Sequence, residues 1–290
     1  MGRTVEQGFV EFLSRLTPTA TESAAAKSHR ESIRQCLETN IGMTGFFRSG
    51  SFGNGTSIRG YSDTDYFAVI PEVNLAHNSQ VMLRKVRAVL EQRFPSTGVR
   101  VSTPAVAAPF GTSLSERIEV IPAYHARDLQ GYATYGIPDY SAGGWMEASV
   151  EAQKALVSEV DASLGGKVKP LIRFLKAWKY FRNVPLLSFY LEMRATSYAS
   201  EQDYIEYAVD LRSILYHLLK IRLAAMRDPL GLFGLIRPCT LDAQHADALS
   251  RLQMAATRAD KAIEAEGKGN IPQAFGLWNL VFAGKFPTYG

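Results

Sequence analysis

The feature that most constrains the fold is a glycine-serine turn followed by two aspartates, each lying beside an apolar run. Gly50 and Ser51 come directly after residues 45–49, which have the composition of a short strand. About a dozen residues later, Asp63 and Asp65 stand two positions apart at the head of a second strand-like run. Side chains alternate along a strand, so both carboxylates project to the same side. This pattern predicts two strands joined by a turn, with a pair of carboxylates at one strand end.

A third carboxylate, Glu119, lies in a later apolar run that is also predicted to be a strand. Its neighbours Ile118 and Val120 face the opposite side of that strand. If this strand lies beside the one that contains Asp65, three carboxylates converge, and they are unfavourable neighbours unless cations neutralise them. Asp63, Asp65 and Glu119 therefore predict a site for two magnesium ions, roughly 3.5–4 Å apart. The alternative is that both aspartates only cap a turn, because a bare Asp-X-Asp pattern often occurs by chance.

The turn at Gly50 and Ser51 is suited to bind phosphate. A glycine-containing turn that opens a helix presents backbone N–H groups, and these groups can approach a phosphate closely. The glycines at positions 53, 55 and 60 do not form a Walker A loop, because no Gly-Lys-Ser/Thr follows them. Together with the carboxylates, the turn indicates a polymerase-type site that binds a nucleoside triphosphate with its magnesium ions.

The hydrophobic periodicity changes along the chain, and it indicates an α+β protein with two parts. Residues 1–165 combine N-terminal helices with strand-like runs, whereas residues 166–290 are mainly helical in pattern. The first part carries 15 basic and 17 acidic side chains, and the second carries 17 basic and 11 acidic ones. The helical part is therefore the more basic one and the expected location of a bound anion.

After residue 149 the apolar positions recur at helical spacing. Residues 131–146, which include four glycines and one proline, are predicted to form a loop. The predicted helices of the second half are 149–163, 167–182, 186–198, 203–226, 242–264 and 271–282.

The helix predicted at 167–182 carries a basic stripe. It contains six basic residues, and no acidic residue occurs in 162–191. Lys169, Arg173 and Lys176 recur at i, i+4 and i+7, which places them on one helix face. A stripe of this kind is usually a solvated face, but the lack of acidic residues favours a surface that binds phosphate.

Composition excludes several classes of protein. No run of eighteen apolar residues is present, so no membrane span is expected. Aromatic residues make up 11% of the chain, which argues against long disorder. The spacing of Cys36 and Cys239 matches neither a metal site nor a redox motif, so we expect two buried, reduced thiols. No secretory signal pattern is present, so a cytoplasmic protein is expected.

The turn and the carboxylate motif resemble those of a known family. Gly50-Ser51 and Asp63-Thr64-Asp65 resemble the signature of the polymerase-beta nucleotidyltransferase superfamily. Residues 50–65 resemble, more narrowly, the bacterial cyclic-oligonucleotide synthases that are related to cyclic GMP-AMP synthase and oligoadenylate synthase. Further similar segments are 137–145, 171–179, 184–192 and 278–287.

The resemblance implies a polymerase-beta-like core of mixed sheet and helices, followed by a C-terminal helical lobe. It also implies that Lys176 and Ser188 hold the triphosphate of the donor nucleotide, and that Phe189 or Tyr190 stacks on a base. Glu119 stands where the superfamily more often has aspartate. Glutamate also provides a carboxylate at this position, on a side chain that is one methylene longer.

The resemblance further implies a template-independent enzyme that joins ribonucleoside triphosphates, such as ATP and GTP, into a cyclic di- or trinucleotide second messenger. Two magnesium ions would assist the release of pyrophosphate. The expected partners are these triphosphates, without a membrane or a nucleic-acid template, and a downstream effector would bind the product in antiphage defence. Two alternatives remain open: a transferase that makes linear oligonucleotides or extends RNA, and a non-catalytic nucleotide sensor.

Overall fold

The computed structural model describes residues 2–18, 24–111, 116–139, 143–231 and 234–290. The chain divides into two compact units. One unit consists of Thr19–Ala155, and the other combines Met1–Pro18 with Leu156–Gly290. The first is called the sheet unit below and the second the helical unit.

The sheet unit contains a seven-stranded mixed sheet. Its central order is β1-β2-β5-β4-β3, and β6 and β7 extend it from the second half of β5. The pair β2–β5 is parallel, whereas the other pairs are antiparallel. The strands are β1 (Gly45–Arg48), β2 (Thr64–Val69), β3 (Arg100–Ser102), β4 (Ala105–Phe110), β5 (Glu116–Leu129), β6 (Tyr132–Pro138) and β7 (Trp145–Ala148).

Helices α2 (Ala24–Ile41) and α4 (Ser79–Arg93) share one apolar core with the sheet. Leu37 of α2 and Val86 of α4 are buried in this core together with Val120 of β5. The short helix α3 (Gly50–Asn54) connects β1 to the loop before β2. Side chains alternate along β2 and β5, so every second side chain on these strands points away from the core, to the opposite face of the sheet.

The helical unit confirms the helices that were predicted after residue 149. Two further two-residue strands, β8 (Met226–Arg227) and β9 (Leu235–Ile236), pair with each other. Along the chain, α5 crosses the boundary between the two units. The helices are α1 (Val5–Leu16), α5 (Val150–Ser163), α6 (Val168–Phe181), α7 (Ser188–Ala199), α8 (Tyr207–Lys220), α9 (His245–Gly267) and α10 (Ile271–Val281).

The structure groups α1 with the helical unit, whereas the sequence analysis placed it in the first part, residues 1–165. The reason is an aromatic cluster. The ring centroid of Phe9 lies 5.0 Å from those of Phe174, Trp278 and Phe286, in edge-to-face geometry. Residues that are distant in sequence form this cluster, so local patterning could not place α1.

The prediction that residues 131–146 form a loop was wrong, because most of them belong to β6 and β7. The two-residue turn before β6 has positive φ at Gln130 (52°) and Gly131 (84°), as in a type I′ hairpin. Gly136 lies within β6, where a Cβ atom would lie 2.1 Å from the Tyr124 ring. Glycine is thus required here by close packing between strands.

Cys36 and Cys239 are buried and free, as predicted. Among the described residues, no helix is both long enough and apolar enough to span a lipid bilayer.

Candidate active site

Two of the predicted site carboxylates lie side by side on the central strands of the sheet. Asp65 of β2 and Glu119 of β5 are direct partners in the parallel register. Their neighbours Tyr66 and Val120 are buried in the core on the other face. The strand that contains Glu119 therefore lies beside the strand that contains Asp65, as the sequence analysis expected.

The electrostatics of Glu119 indicate excess negative charge at this end of the sheet. Burial raises the pKa of Glu119 to about 7, and the nearby charge of Asp63 also raises it. Arg100 and Arg117 lower this pKa by their charges, and Ser102 lowers it by a hydrogen bond. The Arg117 Nη1 atom also lies 3.9 Å from Asp63 Oδ1. The positive groups do not fully offset the burial and the carboxylate repulsion, so the site favours a proton or a cation.

Gly50 and Ser51 begin α3, and Gly50 lies directly against the carboxylate of Asp65. A Cβ atom at Gly50 would lie 2.0 Å from Asp65 Oδ2, and the φ of Gly50 is +57°. The backbone N–H of Ser49 also donates to the carbonyl of Asp65 at 2.9 Å. The turn and the first strand carboxylate are therefore locked together, and only glycine fits at position 50.

The residues fit a magnesium site in their chemistry. Asp63, Asp65 and Glu119 offer only carboxylate oxygens, which are the ligands that magnesium prefers. In the part of the chain that the structure describes, no group of three or more His, Cys, Asp or Glu side chains is close enough together to hold a metal ion. Asp65 and Glu119 are adjacent, and the carboxylate of Asp63 faces Arg117.

The structure places Lys176 and Ser188, the pair predicted to hold the triphosphate, in different surroundings. Lys176 is only 1% exposed, and its Nζ donates to Glu192 Oε2 at 2.5 Å. Lys179 is the residue whose Nζ donates to Ser188 Oγ, at 2.7 Å, and Tyr180 Oη lies 3.2 Å from the same Oγ. Lys176 lies on the apolar face of α6, where a buried ammonium group requires a buried carboxylate as its partner.

The two aromatic candidates differ in their exposure. Tyr190 is fully buried, and its hydroxyl donates to the Ala224 carbonyl at 2.9 Å. Phe189, in the first turn of α7, is half-buried. Phe189 is thus the aromatic that a base could reach, whereas Tyr190 is a core residue.

The sequence analysis missed Lys179 as the partner of Ser188, and it also missed Ser102 and Arg100 near Glu119. Lys179 is one of the six basic residues of the helix predicted at 167–182, and no partner was predicted for it. Residues on β3 gave no signal, because their approach to Glu119 depends on the strand order β5-β4-β3. The small residue Ala107 stands between Arg100 and Glu119 in the register.

Comparison with known proteins gives one family and several relatives. The profile of the Second Messenger Oligonucleotide or Dinucleotide Synthetase domain matches residues 3–160. A probable cyclic nucleotide synthase of Bacillus cereus (strain VD146) is 26% identical over 174 residues, covering 59% of this chain and 52% of that protein. A cyclic AMP-AMP-AMP synthase of Acinetobacter sp. (strain ATCC 27244 / 9458) is 24% identical over 187 residues, covering 61% and 52%. The chain thus spans about half the length of the curated relatives it matches.

Solved structures share the fold over nearly the whole chain. The cyclic AMP-GMP synthase DncV of Vibrio cholerae, in complex with the linear intermediate 5′-pppA(3′,5′)pG, matches with a TM-score of 0.78 at 14% identity and covers 100% of this chain and 98% of that one. CdnC of E. coli MS115-1 with ATP matches with a TM-score of 0.74 at 15% identity, covering 97% and 98%. These similarities confirm the predicted core of mixed sheet and helices with a C-terminal helical part.

Proposed function

Because the chain belongs to the Second Messenger Oligonucleotide or Dinucleotide Synthetase domain family, we propose that it joins ribonucleoside triphosphates into a cyclic di- or trinucleotide and releases pyrophosphate. The observation that carries this proposal is the direct pairing of Asp65 with Glu119 on parallel strands, next to the turn at Gly50. Both curated relatives are named as cyclic nucleotide synthases, which supports the same reaction class.

The reaction is a displacement at phosphorus. A ribose hydroxyl of one nucleotide attacks the α-phosphorus of another, the bond to the pyrophosphate oxygen breaks, and the hydroxyl proton leaves to a base. Without metal the pKa of Glu119 is about 7 because of its burial and the nearby charge of Asp63, and bound cations would stabilise its ionised form. A second attack of the same kind closes the ring. Such catalysis depends mainly on positioning and charge stabilisation.

Each residue has a role in this proposal. Asp63, Asp65 and Glu119 would hold two magnesium ions, which would supply positive charge to the attacking hydroxyl and to the leaving pyrophosphate. The turn at Gly50 presents its backbone N–H groups to the phosphates, and Ser51 presents its side-chain hydroxyl to them.

In the helical unit, we assign the donor triphosphate to Lys179 and Ser188 in place of the expected pair Lys176 and Ser188. Lys179 is partly accessible and already contacts Ser188, whereas Lys176 is buried in its pair with Glu192. Phe189, half-buried beside Ser188, is assigned to stack on a base. Lys176 then has a structural role between α6 and α7.

The remaining expectations belong to the same proposal. The substrates are ATP, GTP or other ribonucleoside triphosphates, used in the cytoplasm without a nucleic-acid template. The product acts on a separate effector, in defence against phage. A linear oligonucleotide or RNA-extending transferase and a non-catalytic nucleotide sensor are the competing functions.

Mass spectrometry of the products made from all four ribonucleoside triphosphates with magnesium tests the proposal. We expect a cyclic di- or trinucleotide together with stoichiometric pyrophosphate. The matched control is the double variant Asp63→Asn and Asp65→Asn, which should release no pyrophosphate and should keep the melting temperature of the parent protein. Pyrophosphate release by this variant at the parent rate would refute the metal site, and linear products alone would favour the transferase.

A further inference from the structure

A basic cavity lies within the helical unit, at the ends of α6 and α10 and along α9. Arg182 follows the last residue of α6, and Arg251 and Arg258 stand two turns apart on α9. These three arginines line a cavity of about 120 Å³ together with buried apolar residues, among them Trp178 and Ala255. This cavity is called the arginine pocket below.

Backbone carbonyl groups hold the three guanidinium groups in place. Arg182 Nε donates to the carbonyl of Val281 at 3.2 Å, and Arg258 Nη1 donates to that of Leu280 at 3.1 Å. Arg251 Nη1 donates to the carbonyl of Arg182 at 2.7 Å. Each guanidinium group has five N–H donors, and these bonds use only part of them. The three guanidinium groups are therefore held in fixed orientations, and each keeps N–H donors that a ligand could use.

The arginine pocket carries more positive than negative charge. Arg251 forms an ion pair with Asp247, in which Nε lies 2.8 Å from Oδ1. Within the described residues, Arg182 and Arg258 form no ion pair with a carboxylate. Burial lowers the pKa of Arg182, and the charge of Arg258 lowers it further. Three guanidinium groups and one carboxylate leave a net charge of +2, which an anion would relieve.

We propose that the arginine pocket binds a phosphate group, either as free pyrophosphate or phosphate or as part of a nucleotide. Planar guanidinium groups match pairs of phosphate oxygens, and several of them on a partly apolar surface form a strong phosphate site. The cavity is much smaller than the roughly 300–1,000 Å³ of pockets that enclose drug-sized ligands. It therefore accommodates the phosphate group and leaves any attached nucleoside outside.

Isothermal titration calorimetry of the full chain without magnesium tests this site and requires no turnover. The probes are inorganic phosphate, pyrophosphate and AMP, and the variants are Arg251→Gln and Arg258→Gln. Lys261→Gln is the matched control, because it removes one exposed positive charge from the same helix. We expect saturable binding of at least one probe to the parent and the control, and an at least tenfold weaker Kd in both arginine variants.

The probes also distinguish the sources of the phosphate. Tighter binding of pyrophosphate than of AMP indicates a free anion, and the reverse order indicates a nucleotide. Circular dichroism checks each variant, and Arg258→Lys, which keeps the charge but loses the planar fork, should weaken binding severalfold. Unchanged binding in the arginine variants, or no saturable binding of any probe to the parent, would overturn the proposal.

Discussion

At the scale of single residues, negative charge at the ends of β2 and β5 determines what the site can bind. Asp65 and Glu119 are neighbours in the register, and Asp63 contributes to the raised pKa of Glu119. The contact from Arg117 to Asp63, at 3.9 Å, is half-exposed and offsets little of this charge. The protein without metal is therefore under electrostatic strain at Glu119, and this strain can be measured.

Glu119→Gln should stabilise the magnesium-free protein above pH 7 and have little effect near pH 4. In the folded chain the pKa of Glu119 is about 7, above its ordinary value of 4.5, so the folded state binds the proton more tightly than the unfolded state. Ionisation of Glu119 therefore lowers the free energy of unfolding as the pH rises between these two values. The full effect, of about 1–3 kcal/mol, is present above pH 7.

Thermal unfolding with EDTA at acidic and alkaline pH measures this difference. The control is Glu72→Gln, which removes a carboxylate at an exposed position of the same unit. With magnesium and nucleotides, Glu119→Gln should lose roughly two orders of magnitude in the rate of pyrophosphate release. A variant that is less stable than the parent at alkaline pH would show that Glu119 is not strained.

Gly50→Ala should abolish most of the activity, whereas Gly60→Ala should retain it. Both glycines have positive φ, +57° and +74°, so an alanine causes similar backbone strain of about 1 kcal/mol at each position. Only at Gly50 does the new Cβ atom meet another group, Asp65 Oδ2 at 2.0 Å, whereas nothing lies within 4 Å at Gly60. Pyrophosphate release and melting temperature measure both variants, and equal activity loss would show that strain alone is responsible.

At the scale of helices and strands, the local pattern predicted most elements, and the packing between distant elements decided the rest. Helical periodicity placed α5 to α10, and the apolar runs placed Asp65 at the head of β2 and Glu119 within β5. The same periodicity could not show that Lys176 is buried, because its partner Glu192 lies on another helix. The four glycines of residues 131–146 predicted a loop, because the close packing of Gly136 against Tyr124 is invisible in the sequence.

Lys179→Ala should weaken nucleotide binding, whereas Lys176→Ala should reduce the stability of the fold. Lys179→Ala removes a charged donor beside Ser188 and should raise the nucleotide KM about tenfold with little change in melting temperature. Lys176→Ala leaves Glu192 buried without its partner and should cost about 3–5 kcal/mol of stability. Nucleotide titration and chemical denaturation of both variants measure these effects. If the Lys176→Ala protein were stable and its nucleotide KM were much higher, Lys176 would be the residue that binds the donor triphosphate.

At the scale of the whole molecule, the two units divide the charges of the proposed reaction. In this proposal the sheet unit would supply the carboxylates that bind metal, and the helical unit would supply Lys179 for the triphosphate. The net charge of the chain is only +4. Such a balance suits small triphosphates, which bring their own magnesium, better than a long polynucleotide whose affinity depends on many phosphate contacts.

The product should therefore be a small ring made without a template. We expect triphosphates labelled at the α-phosphate to yield label that survives alkaline phosphatase, because a ring has no terminal phosphate. Addition of an RNA oligonucleotide should neither accelerate pyrophosphate release nor give a longer RNA, since the charge of the chain offers little for a polynucleotide track. The double variant Asp63→Asn and Asp65→Asn is the blank for both measurements. A ladder of lengthening oligomers, or a product that loses its 5′-terminal label to phosphatase and keeps only its internal label, would establish the linear transferase instead.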